Sequence, residues 1–369
     1  MAFEIVTIKA GGLVLRPVTI AIEIAMDEAA RSFEAKVKQF GFSQAQLLDA
    51  LAGRPACTIH SRASDGVSPA VGEGGDLLLT GFVEKRSPSL RSAEAELPIA
   101  GRSKTGDAVD SAADHDSGEF RDKTAKDTFE TLAGKQDIQV ESDLPHPKRP
   151  LFRLRPGERI FDAAERWARA EGFAIGDTPE GKMKFAKAGE KRHAGGLTEG
   201  VNVVDASAVH DDSKRFGTVK VRAQAPSGYT PDELQIEAQA TDNVGGKRLK
   251  VIVPPEQIRK DDARQRAKWH RDRAAGEGTT CEVTTSGWRD GAGRLWTPGY
   301  LVFVEIPSLG IVQDMLVKKV SLKQDDTESG GTQAALSLVD PRAFGGKSGK
   351  GSKSGKALDL GKSGGDDAE

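Results

Sequence analysis

Hydrophobic and polar residues alternate with a period of two along the start of the chain. Phe3, Ile5 and Thr7, then Leu13 and Leu15, then Val18, Ile20, Ile22 and Ile24 follow this spacing, punctuated by Gly11-Gly12 and Pro17. Such spacing puts one set of side chains on one face of a sheet and predicts hairpins. Phe33, Ala35 and Val37 continue it. Ala56–Ser61 reads as a short strand, Asp76–Glu84 as a strand pair broken at Gly81, and Leu90–Ile99 as a further alternating run. Short strands at this density predict an antiparallel barrel or sandwich.

The pattern changes at Gly101. Lys104–Asp114 is small and polar, Thr124–Leu132 has the spacing of a short amphipathic helix, and Asp137–Val140 reads as a strand. Pro145, Pro147 and Pro150 mark a linker-like stretch. Phe152–Ile175 then predicts a strand, a Pro-Gly turn, a helix and a strand. Ile160, Ala163, Ala164, Trp167, Ala168 and Ala170 form the apolar helix face, and Gly172 stops it. A turn at Glu180-Gly181 precedes Met183 and Phe185.

The β pattern resumes at Phe216–Gln224. Asp261–Ala275 reads as a helix with Ala263, Ala267 and Trp269 as packing positions. Thr280–Thr285, Tyr300–Ile306, Ile311–Leu322 and Thr332–Val339 complete a second set of strands. Between them, in Gly287–Ile306, Trp288 and Trp296 bracket a Gly-rich turn and Pro298-Gly299 makes another. From Gly345 the chain is Gly, Ser and Lys, closed by Asp366, Asp367 and Glu369, a composition that predicts disorder. The expected class is mainly β with α+β inserts. Residues 1–103 form a first β domain completed by about 211–230. Residues 104–210 form an inserted α+β region with subunits at about 104–148 and 149–200. Residues 231–344 form a second β domain, and 345–369 a disordered tail.

Length and charge agree with this layout. The chain has 369 residues, enough for two to three domains, and a net charge of −2. That balance gives no global electrostatic attraction to nucleic acid or an anionic membrane. Cys57 and Cys281, the two cysteines, neither form a disulfide framework nor take zinc spacing, and predict synthesis in a reduced compartment. No signal-peptide layout and no membrane-length apolar run are present, so a soluble intracellular chain is expected.

Reactive chemistry has few candidates. His60, His115, His146, His193, His210 and His270 show no metal-binding spacing. Asp114–Glu119, DHDSGE, half matches a calcium loop and reads better as a solvated acidic turn. VGEGGD, at Val71–Asp76, has the glycines of a phosphate loop without a following helix, and reads as a hairpin turn. The tail lysines Lys347, Lys350, Lys353, Lys356 and Lys362 suit a solubilising segment or an anionic partner. No catalytic, cofactor or metal residue is assigned, and no cofactor is expected.

Three segments carry a family resemblance. AGRSKTGDAVDSA (Ala100–Ala112), RPGERIFDAAERWARAEGF (Arg155–Phe173), and GWRDGAGRLWTPGYLVFVEIPSLGI continuing to Phe344 resemble, in order and spacing, phage Mu-type baseplate hub proteins. That family is related to the late control D proteins and to the N-terminal part of VgrG spikes. The resemblance covers roughly residues 1–344 and leaves the tail unexplained. It implies two tail-tube-like β-barrels flanking the insert, and a homotrimer whose six quasi-equivalent barrels join a six-fold tail tube to a three-fold central spike. It also implies contacts with other baseplate proteins, DNA passage through a central channel without specific binding, and a place in the virion baseplate after synthesis in the host cytoplasm. No catalytic activity is implied.

Two other readings stand beside the hub. A tail-associated peptidoglycan hydrolase requires paired carboxylates at a set separation, and the sequence identifies no such pair. A cell-wall or receptor-binding module could be centred on Phe152–Phe185. The sequence also leaves open whether Trp288 and Trp296 both face the core or one of them faces a neighbouring subunit.

Overall fold

A computed structural model describes residues 3–37, 43–64, 75–91, 94–224, 234–244, 246–254, 258, 260–325 and 331–344. The first β region comprises β1 (Phe3–Ala10), β2 (Leu13–Leu15), β3 (Pro17–Ala25), β4 (Ser32–Val37), helix α1 (Gln44–Ala50), β5 (Ala56–Ser64), β6 (Asp76–Arg86), β7 (Ser89–Arg91) and β8 (Glu94–Ser103). The α+β region follows with α2 (Gly106–Asp110), β9 (Glu119–Phe120), α3 (Ala125–Gly134), β10 (Val140–Ser142), β11 (Phe152–Arg153), α4 (Ile160–Glu171), β12 (Ala174–Asp177) and β13 (Met183–Ala186). Next come β14 (Lys191–Arg192), β15 (Leu197–Thr198), β16 (Val203–His210), β17 (Thr218–Gln224), β18 (Gln235–Thr241) and β19 (Leu249–Ile252). Helix α5 (Lys260–Glu277), β20 (Thr279–Ser286), β21 (Tyr300–Ile306), β22 (Ile311–Asp325) and β23 (Gly331–Val339) end the fold, with a 3-10 turn at Pro341–Phe344.

Both β regions belong to one sheet. Its path is β16-β20-β23-β22-β3-β4-β8-β6-β5-β1-β2, with β21 beside β22 and the short β14 and β15 running parallel to β21. The seam is β3 against β22, antiparallel from Thr19↔Asp325 to Ala25↔Lys319. The described path does not close on itself, so strand pairing merges the two expected barrels instead of sealing each one. Alternation is the cause. Ile20, Ile22 and Ile24 of β3 and Val320 and Leu322 of β22 point to the same side, and both rows enter a single core. Burying that shared row stabilises the seam by about 25 cal/mol per Å² of apolar surface.

The Gly287–Gly299 turn lies over this core. Trp288 is 1% exposed and Trp296 3%, so both face inward. Trp288 Nε1–H donates to the carbonyls of Lys323 and Gln333, each at 3.0 Å, which fastens the turn across β22 and β23. Arg289 reaches back to Glu4 and Asp76, each at 2.6 Å, and ties the same turn to β1 and β6.

The α+β region has its own core. Phe129 meets Phe152, Trp167 and Phe185 edge-on at 5.8–6.2 Å between ring centroids. As its spacing predicts, α4 buries Ile160, Ala163, Ala164, Trp167 and Ala168, and Gly172 ends it in the left-handed conformation at φ 78°. A buried latch holds this region to the sheet. Arg31 donates from Nε to Asp177 Oδ1 (2.8 Å), from Nη1 to the Leu78 carbonyl (2.8 Å), and from its backbone N–H to Ser103 Oγ (3.0 Å).

Three features differ from the sequence reading. Thr218–Gln224, expected to complete the first β domain, pairs instead with β18 and β19 in a separate three-stranded sheet. α5 covers that sheet with Ala263 and Ala267, while Trp269 stays 37% exposed. Helix α1 was not expected, although Ser43 and Gln46 form a full capping box at its start.

Because Trp288 fills the core and bridges two strands, Trp288→Ala should cost about 3–5 kcal/mol. Urea unfolding followed by circular dichroism measures this. A loss under about 1 kcal/mol would place the ring outside the core.

Candidate functional site

A sheet that buries one face must present the other. Across β20, β23, β22, β3, β4 and β8 the register lines up Thr284, Ala335, Ser321, Glu23, Ser32 and Arg102. The next row is Ser286, Gln333, Lys323, Ala21, Glu34 and Ala100. A third runs through Asp325, Thr19, Lys36 and Pro98. The face is therefore small, polar and free of large apolar side chains in these rows. It crosses the seam without interruption, and an open groove of about 500 Å³ lies on it between Thr19, Lys36 and Gln333.

Several cations on this face are neutralised in place, while Lys323 is exposed without a salt bridge among the described residues. Lys319 meets Glu23 at 2.9 Å, Lys36 meets Glu96 at 3.0 Å, and Lys318 meets Asp27 at 3.1 Å. Arg102, at the rim, holds Glu84 at 2.8 Å and Asp110 at 2.5 Å. The Glu23 bond raises the Lys319 pKa, so the ammonium keeps its charge at neutral pH. These pairs are part-exposed, and each contributes little to stability, about 0–1 kcal/mol. Their effect is on surface potential.

One Asp–His pair has the composition of a catalytic dyad. His193 Nδ1–H donates to Asp290 Oδ2 at 3.0 Å. Its Nε2 is already taken, accepting the Thr297 backbone N–H at 3.1 Å. Both side chains are fully buried, and Asp290 also accepts the N–H groups of Ala194, Ala292 and Arg294. No lone pair is left to take a proton from a substrate, so the pair clamps the 190s segment to the turn. Arg192, bonded to Asp314 at 2.8 Å, clamps it again. Both cysteines are buried, which pushes the thiols up to about 12 at Cys57 and about 11 at Cys281. Such thiols are neither nucleophiles nor ready metal ligands at neutral pH.

The other sequence candidates do not converge. Asp114 pairs with Lys135 at 2.8 Å, and Glu119 with Arg121 and Arg153, around a turn closed from Gly118 N–H to the His115 carbonyl. His146 lies inside the α+β region, 3.1 Å from Glu171. Among the described residues no group of three or more His, Cys, Asp or Glu side chains could hold a metal ion. None of the described helices is long and apolar enough to cross a membrane. Most of VGEGGD and all of the tail lysines lie outside the described residues.

Burial holds the His193 pKa below its ordinary value, against the opposing pull of Asp290. The unfolded chain therefore takes up this proton at higher pH than the folded one. The stability contribution is complete above about pH 6.5 and falls as the pH drops toward the folded value. Unfolding midpoints in urea should thus be lower at pH 5.5 than at pH 7.5. His193→Gln can keep both bonds without titrating, and should shrink that difference. An unchanged difference would mean that His193 does not carry it.

Comparison with known proteins bears on the fold. Residues 259–347 match the family described as Mu phage baseplate assembly protein GpP, fourth domain. Residues 105–187 match baseplate hub protein gp44-like, second domain. The chain is 28% identical over 284 residues to baseplate hub protein gp44 of Escherichia phage Mu, covering 73% of this chain and 74% of that protein. The prophage MuSo2 43 kDa tail protein from Shewanella oneidensis shares the fold with a TM-score of 0.75 at 24% identity, over 92% of this chain and 99% of the other. The E. coli c3393 protein, described as a component of the type VI secretion system, aligns with a TM-score of 0.52 at 12% identity, over 96% and 79%. The chain is thus similar to the phage Mu-type baseplate hub proteins, the family that its three sequence segments resemble.

Proposed function

We propose that the chain is the structural hub of a contractile-tail baseplate, a homotrimer that joins a six-fold tail tube to a three-fold central spike. Each subunit supplies two tail-tube-like β units, residues 1–103 and 231–344, with the α+β region outside them. Three subunits then give six similar units in a ring. The observation that carries this reading is the polar face that runs unbroken across the seam. It suits the wall of an axial channel, since one continuous sheet per subunit needs few joints to close a ring.

The wall's chemistry fits passage of duplex DNA. Binding to phosphates is driven by releasing counterions, about 0.9 per phosphate neutralised by a free Lys or Arg. Lys319, Lys36 and Lys318 are already paired with carboxylates, so these three gain little when a phosphate comes near. The role is mechanical rather than catalytic, in keeping with the sealed Asp–His pair and the protonated thiols. The peptidoglycan reading draws no support from the α+β region. Its Phe129, Trp167 and Phe185 are consumed in the core and cannot stack on a sugar.

Sedimentation should show a trimer, alone at high concentration or with the spike. A strictly monomeric protein that binds no spike would refute the hub. Glu23→Gln with Glu96→Gln should make the protein retain duplex DNA at 50 mM salt. The slope of log K against log salt should steepen by about 0.9 for each lysine freed. Equal retention of variant and parent would remove this face from the channel.

A further inference from the structure

We propose that β19, an edge strand of the small sheet covered by α5, takes up an extended segment of another protein as a further strand, one that alternates apolar and acidic residues. The small sheet runs in the order β18-β17-β19, so among the described residues no strand lies on the outer side of β19. Such an edge presents a row of unpaired N–H and C=O groups, a template for an added strand.

The side chains along this edge specify what the added strand carries. In register with β17, Leu249 lies beside Thr218 and Val251 beside Lys220, on the face away from α5. Ile252 lies beside Val221, on the face that α5 covers. Leu249, Val251 and Val253 are 53%, 44% and 72% exposed, an apolar stripe along one side of the edge. Arg248 and Lys250 alternate with them and turn to the other face, where both lie over the Phe216 ring, 5.2 and 5.5 Å from its centroid. Edges are often guarded by an outward lysine. Here Lys250 is drawn onto Phe216, and the backbone edge stays open. Lys247, Arg248 and Lys250 have no carboxylate partner among the described residues. Residues 213–277 hold 14 Lys and Arg against nine Asp and Glu, in a chain whose net charge is −2. The positive potential reaches His270, whose pKa is lowered to about 4 by burial and then by Lys250, Arg273 and Arg266. Successive side chains of an added strand fall on opposite faces. One set meets Leu249, Val251 and Val253 and is apolar; the other meets Arg248 and Lys250 and is acidic.

A second copy of the chain does not supply this strand from β18, the other open edge of the same sheet. The one carboxylate of β18, Glu237, is already shared by Lys220 and Arg222 at 2.8 and 2.9 Å. Its apolar residues Ile236, Ala238 and Ala240 are already buried under α5. The occupant is therefore a different protein, and this inference does not depend on the hub reading.

The test titrates the full chain into a fluorescent peptide that alternates valine and glutamate over about eight residues, an ordinary strand length, and reads its anisotropy. This peptide should bind at least about ten-fold more tightly than a valine–lysine peptide of the same length, because each cross-strand charge contact is reversed. A proline at the centre of the valine–glutamate peptide removes a ladder hydrogen bond and should also weaken binding. Val251→Asp, at an exposed position, should weaken it about ten-fold with an unchanged circular dichroism spectrum. Lys250→Gln should flatten the dependence on salt. No binding, equal affinity for the acidic and basic peptides, equal affinity for the proline peptide, or no effect of Val251→Asp would each overturn the proposal. So would a short DNA duplex that binds and is lost in Lys250→Gln while none of the peptides binds.

Discussion

The pairing of β3 with β22 is the constraint on which the rest of the structure depends. It joins strands from opposite ends of the chain, and through them two β regions share one core. The same pairing aligns their outward residues into one polar face. A one-residue slip would turn Ile20, Ile22 and Ile24 out to solvent and bring Thr19, Ala21 and Glu23 inside. Core and wall are therefore fixed by a single register.

Buried ionic groups serve as fasteners around this sheet, each at a joint between parts. Arg31 with Asp177 fixes the α+β region, Arg192 with Asp314 fixes the segment that returns from it, and Arg289 with Glu4 fixes the Trp288 turn. At Asp177 the cost is visible, since burial raises its pKa despite Arg31. Pairs of this kind add little net stability over an apolar contact, yet removing one partner typically costs about 3–5 kcal/mol. Their geometry is directional, so they specify how the parts sit as well as that they touch.

Features that depend on local spacing were legible in the sequence. The alternation in β1, β3 and β4 gave strands and inward faces correctly, and Pro156-Gly157, the Ala-rich face and Gly172 gave α4 and its end. The capping box of α1 was equally local, and it went unread although Leu47, Leu48 and Leu51 follow it at helical spacing. Partners distant in the chain were not legible. Nothing in Thr218–Gln224 distinguishes β3-like neighbours from β18 and β19, since any alternating strand can pair with any other. The same holds for the wall. Thr19, Ala21 and Glu23 read as outward positions, but that Glu23 would meet Lys319 depends on register across the whole chain. Trp269 misled because α5 packs on a small sheet through alanines, which bring helix and strands close and leave the large ring at the edge.

The seam also sets a schedule. Glu23 and Lys319 are 296 positions apart. At roughly 5–20 residues per second, β3 emerges on the order of 15–60 s before β22 can be made. Through that interval its outer edge is an unpaired template, with β4 already available on the other side. A chain released early would carry that open edge with it and invite edge-to-edge aggregation. Only a chain extended through β22 can hide the edge, so the geometry of the sheet acts as a check that synthesis has passed β22 before a subunit can join an assembly.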